Sequence, residues 1–62
     1  MTHTAPSAAP TPSEIHAMAR VLARRYGARA GEIAENFMAE HEIIGDSARA
    51  ALWGKVCARL EQ

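Results

Sequence analysis

Apolar side chains recur along this chain at helical rather than strand spacing, in three stretches separated by glycine. In the first stretch Ile15, Met18, Ala19, Leu22 and Tyr26 follow the i, i+3, i+4, i+7 rhythm of one buried stripe. Arg20 and Arg24 fall on the opposite side. The pattern predicts a helix from Ser13, with Pro12 barring an earlier start, Ser13 as cap and Glu14 in the first turn. Arg24 and Arg25 then place cations near its C-terminus, and Gly27 supplies a left-handed end.

The second stretch predicts a helix over about 29–44, with Ala30, Ile33, Ala34, Phe37, His41 and Ile44 on its apolar face. Glu32, Glu35, Ala39 and Glu42 take the far side. Gly31 falls in the first turn, where its low helix propensity is least harmful. Gly45 closes this helix and Asp46 caps the next, predicted over 47–60. Leu52, Trp53, Val56, Cys57 and Leu60 form the third stripe, while Ala50, Ala51 and Ala58 keep that helix slim. Gly54 lies off the stripe, where another backbone has room to approach. The expected fold is all-α: a small antiparallel three-helix domain over 13–62, with short links that favour hairpin neighbours.

Apart from Met1 and His3, residues 1–12 are Pro, Ala, Thr and Ser, with no formal charge. Such a segment does not offset its ordering entropy and reads as a disordered or polyproline-like tail. About fifty residues remain to fold. A chain of this size buries only about 60% of its unfolded surface and gains roughly 3–5 kcal/mol from its core. Cys57 is the single cysteine, which excludes an internal disulfide. Packing or association must therefore supply the missing stability.

The formal net charge is zero, which counts against a general nucleic-acid or membrane-surface binder. The charge is segregated, however. Segment 13–27 sets three Arg against one Glu (+2), segment 28–45 one Arg against four Glu (−3), and segment 46–62 three cations against two acids (+1). An acidic middle between basic flanks suits helices that pack on each other or on copies of themselves. No stretch reaches the ~20 apolar residues of a membrane span. The N-terminus has neither the basic nor the apolar region of a secretory signal. A cytoplasmic location is the expectation, and an unpaired cysteine agrees with it.

The series Ile15-His16-x-Met18-Ala19-Arg20, Arg25-Tyr26-Gly27-x-Arg29-Ala30, Gly45-Asp46 and Trp53-x-x-Val56 resembles a family of short helical proteins from alphaproteobacteria. The resemblance covers about 13–60. It implies an arginine-rich first helix, an Ala-rich second, a Gly-Asp break and a Trp-bearing last helix. It brings no reaction, cofactor or catalytic residue with it. The chain departs from that pattern in its Pro/Ala/Thr lead and in Phe37-Met38, which make the middle of the second helix more apolar.

Motifs that carry chemistry are sparse. A metal site would need His16, His41, Cys57 and carboxylates to converge, yet no HExxH, paired CxxC, EF-hand or Glu-x-x-His spacing is present. A nucleophilic Cys57 would sit late in a helix among Val56 and Leu60, away from the helix N-terminus that lowers a thiol pKa. No catalytic, cofactor or metal residue is assigned, and the chain is expected not to be an enzyme. A helix-turn-helix reading meets a long acidic second helix and no base-reading cluster at the start of the third. Nucleic acid remains the lesser alternative, through the arginine face of the first helix.

Three slim helices do not cover Val21, Met38, Ile43 and Trp53 together with the main stripes. A leftover apolar patch marks an interaction surface, and two-fold self-association covers it most simply. The sequence therefore points to a protein–protein interaction module, paired as a homodimeric bundle or docked on a larger partner. Val21, Met38, Ile43 and Trp53 would make the apolar contact and Arg20, Arg24 and Arg25 the polar rim.

Overall fold

The computed structural model describes residues 10–61; the expectation for the tail before Pro10 lies outside them. Its elements are α1 (Pro12–Tyr26), a 3-10 turn (Gly27–Arg29), α2 (Ala30–Ile43) and α3 (Ser47–Leu60). No strand occurs among the described residues. The fold is all-α, but helical turns follow one another with no intervening loop over 12–43 and again over 47–60, so two helical runs replace the three separated helices expected. At Gly27 the expected break is a change of direction. Its φ of 59° and ψ of −130° turn the chain, and the 3-10 turn feeds straight into α2.

The first helix starts one residue earlier than its pattern suggests. Thr11, not Ser13, is the cap: its hydroxyl accepts from the Glu14 amide at 3.1 Å, and the Glu14 carboxylate accepts from the Thr11 amide at 2.8 Å. This reciprocal box leaves Pro12 at the first helical position, where its missing N–H costs nothing. The α2–α3 connection follows expectation more closely. The Gly45 amide donates to Glu42 at 3.1 Å and the Asp46 amide to His41 at 2.8 Å, a Schellman pair that closes α2. Asp46 then accepts from the Arg49 amide at 3.1 Å and caps α3.

Gly45 holds φ of 83°, a conformation that a Cβ disfavours. Gly45→Ala is expected to cost about 1–2 kcal/mol, read as a lower urea midpoint with unchanged slope. An unchanged midpoint would mean that the turn rearranges freely.

α2 and α3 form an antiparallel hairpin: the Cys57 thiol reaches the Gly31 carbonyl at one end, and Phe37 stacks on Trp53 further along. The small residue Gly54 admits Met38, whose Sδ would lie 3.4 Å from a Cβ at that position. It is thus a side chain, not a backbone, that uses the space at Gly54. α1 lies against α3 more extensively than against α2, its neighbour in sequence. Short links therefore did not make every pair of successive helices the main packing partners.

The core gathers Ile15, Ala19 and Leu22 from α1, Ala30 and Ala34 from α2, and Val56 and Cys57 from α3. With Ala50 these are the eight buried apolar residues among those described, and four of them are alanine, so little apolar volume is enclosed. Met18, Ile33, Leu52, Trp53 and Leu60 pack half-buried around that centre. Two residues of the expected stripes are not inside. Tyr26 is 42% exposed and Ile44 is 73% exposed, because each stands at the end of its helix, beyond the reach of the facing elements.

Candidate interaction surface

Local helix geometry determines what α1 offers outward. Arg20, Arg24 and Arg25 are all exposed, and Val21 between them is 52% exposed. Residues three and four apart share a helix face, so Val21 neighbours Ala17 and Met18 on one side and Arg24 and Arg25 on the other. Across from them α3 supplies Trp53. Together Ala17, Met18, Val21, Leu22 and Trp53 line a shallow depression of about 300 Å³ with no polar lining. Trp53 is fixed in place by Phe37, with ring centroids 4.6 Å apart and planes at 29°.

The four apolar candidates thus divide. Val21 and Trp53 share the depression between α1 and α3. Met38 is half-buried and engaged over Gly54 within the α2–α3 seam. Ile43 is 84% exposed at the end of α2, beside Ile44. That pair was only half legible beforehand, since helical periodicity assigns Ile44 to the covered face.

The titratable groups also sort themselves. His41 Nδ1 lies 2.7 Å from the Phe37 carbonyl, and since a carbonyl only accepts, the ring donates there. His16 Nδ1 accepts from Arg59 Nη2 at 2.9 Å, a tie between α1 and α3. Neither histidine joins Cys57. Its companions are Glu35 and Glu61, the three ligating atoms lying within 4.8 Å of one another. The hairpin register carries a clue to this group, since pairing 37 with 53 brings 35 close to 57, and 61 follows 57 by one turn.

Burial pushes the Cys57 thiol above its ordinary 9.0, and the charges of Glu35 and then Glu61 push it further. Cys57 is 7% exposed, and this burial is the first cause of the shift. Its neighbours favour the protonated form, the reverse of what a thiolate nucleophile or ligand needs. The stability consequence has a definite sign. Below pH 9 both folded and unfolded chains hold the proton; above it the unfolded chain releases it first, so stability falls as pH rises through the folded value. The urea midpoint of the native chain should therefore drop above pH 9 relative to Cys57→Ala. Parallel pH profiles for the two proteins would contradict this.

Among the described residues no helix is long and apolar enough to cross a membrane. No family model, curated protein or solved structure matches this chain. What the surface does must accordingly be argued from its own residues.

Proposed function

We propose that this chain is a non-enzymatic interaction module that works as a homodimer and presents helix faces to a further protein. The observation that carries the reading is the exposure of Ile43 and Ile44, 84% and 73%, in a domain whose core is half alanine. A monomer leaves these side chains in water while lacking the burial that stabilises longer domains. A second copy supplies both needs at once. A cytoplasmic setting, and kinship with the short helical alphaproteobacterial proteins, belong to the same proposal and add no residue role.

Linkage provides the test. If folding is coupled to pairing, the thermal midpoint rises with chain concentration by mass action. A midpoint that stays constant over a hundred-fold concentration range would sink the homodimer.

A second reading draws on the arginines. Arg20, Arg24 and Arg25 enter no ion pair among the described residues, and so form a free cationic face for nucleic acid. A mobility shift lost with salt and with Arg20→Glu/Arg24→Glu would favour this reading; no shift at low salt would remove it. The zero net charge of the chain weighs against it.

A further inference from the structure

Two apolar features of this surface are rimmed by charges of opposite sign. One is the depression lined by Val21 and Trp53. Arg24 and Arg25 follow Val21 by three and four residues, and Arg20 adjoins it. The other is the projection made by Ile43 and Ile44 at the end of α2. Glu40 precedes them by three and four residues and Glu42 stands alongside.

The ion pairs of the described residues are Arg29–Glu32 and Arg49–Asp46, so none of these five charges is neutralised by a partner within them. Glu40 and Glu42 also occupy the last turn of α2, where acids oppose the helix dipole. Local stability does not select that placement, and a partner's cations would.

We propose that the occupant of the depression is the Ile43–Ile44 end of a second copy, exchanged reciprocally about a two-fold axis. This rests on the homodimer reading above and specifies its geometry. Each copy inserts its acidic-rimmed isoleucines beside the Val21 and Trp53 of the other, and receives the same in return. Glu40 and Glu42 of one chain then meet Arg20, Arg24 and Arg25 of its partner. Pairing like with like is disfavoured: an axis through the depression sets arginine against arginine, and one through the projection sets glutamate against glutamate.

Charge reversal tests the arrangement in the full chain. Arg24→Glu/Arg25→Glu and Glu40→Arg/Glu42→Arg each alter exposed side chains, and each is expected to weaken the homodimer about 100-fold. Mixed in equal amounts, the two variants should form a heterodimer within about ten-fold of native affinity, because both contacts regain opposite charges. Circular dichroism verifies that each variant folds. Should either fail to fold, the native dimer carries the test, with affinity expected to fall about ten-fold between 0.05 and 0.5 M salt. A native dimer that is indifferent to salt, or reversed variants that pair normally or are not rescued by mixing, would overturn the reciprocal arrangement and leave the homodimer standing. A native chain that never pairs would overturn both.

Discussion

Val56→Ala is expected to remove about half of the stability of the folded chain. Among the described residues Val56 is the largest side chain with no exposed surface, and it sits where α1, α2 and α3 all contribute to one small core. The substitution removes two methyl groups, each contributing about 0.8 kcal/mol by transfer from water. The cavity left behind adds to that loss, because alanine-rich walls contributed by Ala30 and Ala34 have few side-chain atoms with which to fill it. Alanine's better helix propensity returns about 0.5 kcal/mol. The net cost of about 2 kcal/mol is a large share of the roughly 3–5 kcal/mol such a core supplies. Urea unfolding followed by circular dichroism gives the value directly. Ala58→Ser, on the exposed side of the same helix, should change stability by no more than about 0.5 kcal/mol. Equal effects at the two positions would contradict the packing described here.

The second large effect concerns association. Ile43→Ser/Ile44→Ser should retain the helical spectrum and lose the dimer. Both side chains are exposed in the single chain, so little native packing is removed. In the reciprocal dimer each copy buries its pair, and burying an isoleucine contributes about 1.5–3 kcal/mol. At 1.4 kcal/mol per ten-fold, even partial burial makes the loss at least about 100-fold in dissociation constant. Serine is chosen over aspartate so that the apolar contribution is read without adding charge beside Glu40 and Glu42. Sedimentation velocity separates the outcomes, and unchanged pairing would place the interface elsewhere.

Much of the architecture was legible because its punctuation is local. Gly45-Asp46 carries a turn and a cap within two residues, and Ile15, Ala19 and Leu22 mark the inner side of α1 by spacing alone. Spacing places the start of α1 at Ser13 because Pro12 reads as a barrier, although a helix tolerates proline at its first position. The exposure of Tyr26 and Ile44 was not legible for a different reason. Periodicity says which side of a helix is apolar, but not how far along its length another element covers that side. Met38 shows the converse: spacing leaves it surplus to the stripes, yet Gly54 on the facing helix makes room for it. The grouping of Glu35, Cys57 and Glu61 depends on the register between α2 and α3, which no single helix encodes.

The same distinction separates the candidate surface into its parts. Val21 and the arginines could be placed together from helical spacing, whereas the arrival of Trp53 beside them is a tertiary event. The opposition between a basic-rimmed depression and an acidic-rimmed projection emerges only once both are known to be exposed. In the proposed pairing it gives the uneven charge of the chain a physical role, since attraction between copies would favour one arrangement over its alternatives.

In the proposed function the chain completes itself with a second copy. Size-exclusion chromatography with light scattering, run as a concentration series on the full chain, addresses it most directly. Pairing is expected to give the mass of two 6.7 kDa chains at the upper concentrations, falling toward one on dilution. A mass of 6.7 kDa throughout would contradict it and leave the exposed isoleucines to a different protein.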